Sequence, residues 1–373
     1  MRILALFLAT ACAAGEPGSV VDHPPVFIVG QDLGAIRGYL DSGCCPHPDG
    51  LTAYLSFFNL RSEAGGYGGV GFDNAGHPLA DEHSWGSGPV DARKTATAFG
   101  IPDLAIGLHL IDASGRGSLD RLIAGDYDGN IGKMLELFAL VEGTVYLRVG
   151  YEFDGAWNAA YADAARYVLA YRHIVDTIRS RDGSNVRFVW QASASPADDV
   201  LDGHREDIAR FYPGDAYVDW LAFSWFHHPD ATPSVAVDHQ PATPRELAGE
   251  VLAMARAAGK PVMIAEAAPQ GFDLARLSRR AISPIWDGDA GTGLTSMSTE
   301  EIWRVWFEPL FHLMDDNRDV VRALAYINCD WDAQPMWGPP YAAGYWGDSR
   351  LQANTRLAER FSQAVADWKS GFR

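Results

Sequence analysis

The chain alternates short apolar runs with longer stretches in which apolar residues recur at helical spacing. Eight of the apolar runs have the length of buried strands, and they span residues 26–30, 53–58, 104–109, 144–149, 186–191, 217–224, 261–266 and 322–328. Apolar strands that alternate with helices are typical of a parallel sheet covered by helices. The pattern therefore predicts an α/β protein built as a single (β/α)8 TIM barrel over residues 22–370.

Helix boundary signals support this arrangement. Thr243, Pro244 and Glu246 form a predicted capping box with proline at the first helical position, and Ser298 begins a second box. Gly259 follows the first of these helices, where a residue that tolerates positive φ ends the helix before the next strand. The signals indicate repeated βα units.

Composition narrows the class of ligand. The 373-residue chain has a formal net charge of −18, which argues against nucleic acid and anionic membranes because both require a basic surface. No segment after the N-terminus is long and apolar enough to predict a membrane-spanning helix. The chain has 12 Trp, 14 Tyr and 17 Phe, several of them in loop-like sequence rich in Gly and Pro. We expect a monomer that binds a neutral polysaccharide or oligosaccharide.

The N-terminal residues predict export. Residues 1–15 combine Arg2, an apolar run and small residues, as in a secretory signal peptide, so we expect a secreted or periplasmic protein. Cys12 follows small residues and makes lipid attachment an alternative. The mature chain keeps Cys44, Cys45 and Cys329, an odd number that predicts one disulfide and one thiol. We expect Cys329 to pair with Cys44 or Cys45, because the loop after strand one lies beside the end of strand eight in a closed barrel.

Two predicted strands end in a glutamate. Alternation along strand four places Arg148 and Glu152 on the face opposite its apolar residues, so Glu152 is expected to point inward at the C-terminal rim. In strand seven, Val262, Ile264 and Glu266 are expected to share one face. A carboxylate at the end of an apolar strand can be a capping or salt-bridging residue, but two on different strands favour an active site.

A pair of carboxyl groups suits glycoside hydrolysis. One carboxylic acid protonates the leaving oxygen and one carboxylate attacks the anomeric carbon, and the charge of the nucleophile raises the pKa of the acid. The sequence predicts Glu152 as acid/base and Glu266 as nucleophile. Arg148 either keeps Glu266 ionised or forms a buried ion pair that supports the barrel, and the two roles are compatible. No residue spacing predicts a metal site or a cofactor.

The motifs resemble glycoside hydrolase family 26. They are the segment 145–157 around Glu152, the segment 260–269 around Glu266, the Phe-Val-Trp-Gln sequence of strand five ending at Gln191, and the sequence 212–220 that leads into strand six. The resemblance covers most of the mature chain. It implies a retaining glycosidase barrel with the acid/base after strand four and the nucleophile after strand seven, which here are Glu152 and Glu266.

The resemblance also implies a substrate class. Mannanases of this family usually carry His before the acid/base and Tyr at the end of strand six, where this chain has Tyr151 and Phe226. The sequences around these positions are more similar to the β-1,3-xylanases of the family, which implies an endo-β-1,3-xylanase. The residues predicted to bind substrate are Arg148, Tyr151, Trp157, Gln191, Trp225, Phe226, His109, Asp330 and Trp331.

Two alternatives remain open from the sequence. A β-mannanase or another β-glycanase would use the same two glutamates. A barrel that binds carbohydrate without hydrolysing it would keep the aromatic cleft, although it would have no use for an acid and a nucleophile at both strand ends.

Overall fold

The protein is described here from a computed structural model. The structure describes residues 23–58, 60, 67–68, 83–84, 88–111, 115–196, 207–226, 242–280, 294–334 and 346–372. Residues 1–15, the predicted signal peptide with Cys12, lie outside these ranges.

Eight parallel strands close into a barrel. They are β1 Val26–Gly30, β2 Gly50–Ser56, β3 Asp103–His109, β4 Val145–Val149, β5 Val186–Ala192, β6 Trp220–Trp225, β7 Val262–Ala267 and β8 Val321–Ile327. Each strand pairs with the next one in the chain, and β1 also pairs with β8. The predicted fold class is confirmed, and each of the eight predicted runs overlaps a barrel strand.

Helices lie between most of the barrel strands along the chain. They are α1 Leu33–Ser42, α2 Ala92–Ala98, α3 Gly117–Ile123, α4 Asp128–Phe138, α5 Ala164–Ser180, α6 Pro244–Ala258, α7 Thr299–Ile302, α8 Glu308–Asp316 and α9 Thr355–Ser370. One π-helical segment, Trp303–Phe307, joins α7 to α8. Short 3-10 segments are found at Ala156–Tyr161, which is kinked at Asn158, and at Ile208–Phe211 and Leu351–Ala353.

Both predicted capping boxes are present. The Thr243 side chain accepts a hydrogen bond from the Glu246 backbone and Glu246 returns one, and Ser298 and Glu301 make the same exchange. Gly259 ends α6 at φ 63°, in the left-handed region. Each cap stabilises its helix by about 1 kcal/mol, because it satisfies backbone N–H groups that have no partner within the first turn.

Two short sheets lie outside the barrel. His83–Ser84 pairs with Pro89–Val90. Four two-residue strands, Phe272–Asp273, Ser278–Arg279, Thr295–Ser296 and Gly347–Asp348, form the other sheet. This second sheet connects the loop after β7 to the loop after β8, so it fixes one side of the C-terminal rim.

Side chains alternate between the barrel interior and the helix layer. On β4, Val145, Leu147 and Val149 pack in the large core shared with the helices, whereas Tyr146 packs inside the barrel against Trp220. The predicted faces of β4 are therefore confirmed. The sixth strand starts at Trp220 rather than at residue 217, because the preceding residues form a turn in which Tyr217 N donates to Gly214 O.

The predicted disulfide is not formed. Cys44, Cys45 and Cys329 are all thiols. The sulfur atoms of Cys44 and Cys45 contact each other, whereas Cys329 contacts Asp32 and Gln334. The expectation was wrong because Cys44 and Cys45 follow α1, which returns the chain to the N-terminal end of the barrel, while Cys329 follows β8 at the opposite end.

Within the described ranges, no helix is both long enough and apolar enough to span a bilayer.

Candidate active site at the ends of β4 and β7

Glu152 lies in a tight turn after β4. The strand ends at Val149, and Gly150 and Glu152 both adopt positive φ, at 57° and 50°. A non-glycine residue in the left-handed region costs about 1–2 kcal/mol, so other contacts must hold it there. Glu152 N donates to Gln191 O at 3.0 Å, and Asn158 Nδ2 donates to Glu152 O at 2.8 Å. These bonds fix the backbone of Glu152 against the end of β5.

The carboxyl group of Glu152 accepts hydrogen bonds from two neutral donors. Ser224 Oγ, at the end of β6, donates to Oε1 at 2.6 Å, and Trp157 Nε1 donates to Oε2 at 3.0 Å. The Trp157 ring passes so close to Gly155 that a Cβ there would lie 2.4 Å from Trp157 Cε2. Gly155 is thus required for this ring position, and Trp157 remains 48% exposed beside the carboxyl group.

Glu266 points into the barrel because β7 contains a bulge. Val262 and Ile264 pack toward the helices and Ala265 packs inside. The register with β6 shifts between Phe223 and Ser224, so that Ser224 lies opposite Glu266. Strict alternation would keep Glu266 on the same face as Val262 and Ile264, as the sequence pattern predicted. The extra residue instead turns Glu266 inward, which corrects that expectation.

Arg148 joins the nucleophile candidate to β5. Its Nη1 donates to Glu266 Oε1 at 2.5 Å and to Gln191 Oε1 at 3.0 Å. The guanidinium carbon lies 5.0 Å from the centre of the Tyr54 ring and 5.3 Å from that of Tyr151, and the residue is fully buried. The two rings exclude water from the charge and favour it through cation–π contact, so Arg148 stays cationic beside Glu266.

The two glutamates have different electrostatic surroundings. Burial, and then the negative charge of Glu266, raise the pKa of Glu152 from 4.5 to about 8, while the hydrogen bond from Ser224 opposes the shift. Glu152 is therefore a carboxylic acid near neutral pH and can donate a proton. Glu266 is paired with a buried cation and is available as a carboxylate. The arrangement is compatible with the predicted roles of Glu152 as proton donor and Glu266 as nucleophile.

Several predicted binding residues gather around this pair. Tyr151, Trp157, Gln191 and Arg148 contact the glutamates or each other, as described above. His109 ends β3 at the same rim, and burial lowers its pKa to about 4, so its imidazole is neutral near neutral pH. These placements are compatible with substrate binding, which remains a prediction for each residue.

The predicted binding residues after β6 and β8 lie differently. Trp225 is buried in the core shared with the helices because it follows Ser224, which takes the inward position; this corrects its expected place in the cleft. Phe226 packs edge-on against Trp346 at 5.9 Å. Trp331 is buried and donates from Nε1 to Ser349, and Asp330 is paired with an arginine at 2.8 Å.

The sequence reasoning missed three residues of the site. Ser224 faces inward because alternation from Trp220 and Ala222 places every second residue of β6 inside the barrel. Tyr54 on β2 covers Arg148. Asp154 accepts from both the backbone N and Oγ of Ser193 and ties the Glu152 loop to β5. Strand alternation could have identified Ser224, whereas the other two depend on how loops and strands meet.

Among the residues that the structure describes, no group of three or more His, Cys, Asp or Glu side chains is arranged to hold a metal ion.

Sequence and fold comparisons agree with this geometry. No family model matches the chain. The chain is 28% identical to a β-1,3-xylanase from an Alcaligenes species over 99% of its own length and 70% of that protein. It is 29% identical to a β-1,3-xylanase from a Vibrio species over 94% of its length and 66% of that protein. The chain is a glycoside hydrolase related to β-1,3-xylanases. The enzyme thus spans about two thirds of the length of these relatives.

A solved structure supports the fold. The enzyme superposes with a TM-score of 0.50 on a modular endo-β-1,4-mannanase of glycoside hydrolase family 26 from Cellulomonas fimi, at 16% identity, covering 91% of this chain and 70% of that one. At this identity the similarity establishes the barrel. Together with the two relatives, it confirms the resemblance to family 26 and to its β-1,3-xylanase members that the motifs indicated.

Proposed function

We propose that this enzyme is a retaining endo-β-1,3-xylanase in which Glu152 is the acid/base and Glu266 the nucleophile. The observation that carries the proposal is the pair of glutamates at the ends of β4 and β7, of which Glu152 is partly buried and Glu266 is buried. One has a pKa raised above neutrality, and the other is paired with Arg148. This asymmetry assigns the proton to Glu152 and the negative charge to Glu266 before substrate arrives.

The reaction proceeds in two steps. Glu266 Oε attacks the anomeric carbon while the glycosidic C–O bond breaks, and Glu152 gives its proton to the leaving oxygen. Water then attacks the glycosyl-enzyme ester, its proton passes to Glu152, and Glu266 leaves as a carboxylate. Formation of the ester removes the charge of Glu266, so the pKa of Glu152 falls and the residue becomes the base that the second step needs.

Two observations support β-1,3-xylan as the substrate. Both relatives that match nearly the whole chain are named β-1,3-xylanases. Tyr151, at the position where mannanases of the family usually have His, packs its ring against Arg148 and against Tyr54 at 5.4 Å. An aromatic ring in this place offers an apolar surface to the sugar instead of an imidazole hydrogen bond. Trp157, with half of its ring exposed, offers a further stacking surface.

A comparison of polymers tests the proposal. We expect kcat/KM on β-1,3-xylan to exceed that on β-1,4-xylan and on mannan by roughly 10–200-fold, the range that a hydrophobic pocket achieves. Product chromatography should show oligosaccharides of several lengths early in the reaction. Glu266→Ala protein provides the background rate. A preference for mannan would overturn the substrate assignment. Binding to xylan without hydrolysis above that background would instead support a carbohydrate-binding barrel.

We also propose that residues 1–15 direct export. The apolar run after Arg2 and the small residues that follow support this proposal. N-terminal sequencing of protein recovered from the secreted and periplasmic fractions tests it. A mature chain that begins after this segment is the expected result, and mass analysis of Cys12 distinguishes lipid attachment from simple cleavage.

A further inference from the structure

Four hydrogen bonds connect the two catalytic glutamates through the barrel. Glu266 Oε1 accepts from Arg148 Nη1 at 2.5 Å, and the same nitrogen donates to Gln191 Oε1 at 3.0 Å. Gln191 Nε2 donates to Ser224 Oγ at 3.1 Å, and Ser224 Oγ donates to Glu152 Oε1 at 2.6 Å. Each bond in this hydrogen-bond chain joins two residues from different barrel strands or from the loops that follow them.

The direction of every link is determined by Arg148. A guanidinium has donors and no acceptor, so the atom of Gln191 that faces it must be the amide oxygen. The amide nitrogen then faces Ser224 and can only donate. Ser224 Oγ accepts that bond, so its own hydrogen points to Glu152.

Burial keeps these directions from reversing. Arg148 and Gln191 are fully buried and Ser224 is 3% exposed, so no water replaces a lost partner. Rotation of the Gln191 amide would place its N–H group against the N–H of Arg148 and leave both without an acceptor. That arrangement is costly in a buried site.

We propose that Ser224 is a positioning residue that makes Oε1 of Glu152 a permanent acceptor and restricts the catalytic proton to Oε2. The proposal rests on the acid/base role of Glu152. Oε2 lies beside the half-exposed Trp157, on the side open to substrate. In the first step the proton leaves Oε2 for the glycosidic oxygen, and in the second Oε2 receives the proton of the attacking water. No proton moves along the hydrogen-bond chain between the two glutamates.

The same hydrogen-bond chain makes the ionisation of Glu152 depend on the charge of Glu266. When Glu266 forms the glycosyl ester, Arg148 loses its anionic partner and its remaining bond to Gln191 strengthens. Hydrogen bonds in a buried chain polarise one another, so Ser224 then donates more strongly to Glu152. This favours the ionised form of Glu152 at the step in which it acts as a base.

Other groups also act on Glu152, and the experiment must separate them from Ser224. The titratable groups that influence it are Glu266 from β7, Asp154 and Tyr151 from its own loop, and Tyr54 from β2. None of these is altered by a substitution at residue 224, whose side chain is neutral.

The test compares Ser224→Ala with Ser224→Thr in the full chain. Loss of a hydroxyl that donates to the carboxylate removes a bond that favours ionisation, so the alkaline limb of the kcat/KM profile should move upward by about one pH unit in Ser224→Ala. The rate of hydrolysis of the glycosyl-enzyme, measured with an aryl glycoside that has a good leaving group, should fall roughly 10-fold. Ser224→Thr keeps the hydroxyl and should restore both values.

Ser56→Ala serves as the matched control, because it removes another buried hydroxyl at the rim, on β2. Its alkaline limb should coincide with that of the wild type. An unmoved limb in Ser224→Ala, or a limb that moves equally in Ser224→Thr, would overturn the proposal and leave Ser224 a packing residue. A separate measurement tests the acid/base role of Glu152 itself. If Glu152→Ala hydrolysed polysaccharide at the full rate, that role would be wrong, whatever the result for Ser224.

Discussion

The ends of β4 and β7 carry the same side chain in contrasting settings. Glu152 stands on a strained turn outside its strand, beside an exposed tryptophan, and accepts hydrogen bonds from neutral donors only. Glu266 remains within its strand, is turned inward by a bulge, and is bonded to the guanidinium of Arg148. One carboxyl group is thus held by backbone and neutral contacts, and the other by a buried charge.

This contrast explains how two identical residues take opposite roles. A cation beside Glu266 favours the ionised form that attacks, whereas burial and the nearby negative charge favour the protonated form of Glu152. The two glutamates also differ in the elements on which they lie. Glu152, the proposed proton donor, lies on a loop beside the exposed Trp157, whereas Glu266, the proposed nucleophile, lies within strand β7.

The largest effect is expected from Glu266→Ala. Loss of the nucleophile should lower turnover on polysaccharide by 10⁴-fold or more, on the order seen when a covalent nucleophile is removed. Arg148 would also remain buried without its anionic partner, which costs about 3–5 kcal/mol of stability. Kinetics on xylan and chemical denaturation measure the two effects.

Glu266→Gln is the control for that variant. Its amide oxygen can still accept from Arg148 but cannot attack, so stability should recover in part while activity stays absent. If Glu266→Ala were as stable as the wild type, the idea that Arg148 depends on this carboxylate would fail.

The acid/base should show a different pattern from the nucleophile. Glu152→Ala should lower polysaccharide hydrolysis by roughly 10²–10⁴-fold because no group protonates the leaving oxygen. Its first step on an aryl glycoside with a good leaving group should be nearly unaffected, since that group needs no proton. Azide should rescue the second step by attacking the glycosyl-enzyme without a base. Equal losses on both substrates would contradict the assignment.

The sequence predicted which strands carry the two glutamates better than it predicted how the side chains around them are oriented. The ends of β4 and β7 follow from apolar runs and caps, which depend on local spacing, so Glu152 and Glu266 were located correctly at the rim. The bulge before Glu266 left no mark in the sequence, since any residue can occupy a bulge whose position depends on both neighbouring strands. The inward position of Ser224 and the burial of Trp225 follow from side-chain alternation along β6, so both can be predicted from the sequence.

A smaller effect is expected in the pH dependence of kcat/KM, which should distinguish the two glutamates. Glu152 must be protonated to act as an acid, and its pKa is raised to about 8, so kcat/KM on xylan should fall as the pH rises through about 8. For an aryl glycoside with a good leaving group, the first step should lack this alkaline limb. A limb that is equally present for both substrates would assign the ionisation to another group.

The smallest effect concerns stability. Because the pKa of Glu152 in the folded enzyme lies above its ordinary value of 4.5, the native state holds its proton more tightly than the unfolded chain does. Stability should therefore be lost as the pH rises from about 4.5 to about 8, and Glu152→Gln, which cannot ionise, should avoid this loss. The Tm values of the two proteins should coincide near pH 4, and that of Glu152→Gln should be higher by roughly 2–4 °C above pH 8. Calorimetry across this range measures the difference, which Glu266→Gln should not reproduce, since a neutral amide is a weaker partner for Arg148 than the carboxylate and Glu152 can still ionise in that variant. Coincident Tm values for the wild type and Glu152→Gln at every pH would show that Glu152 ionises as easily in the fold as outside it, and the contrast between the two strand ends would then lose its electrostatic basis.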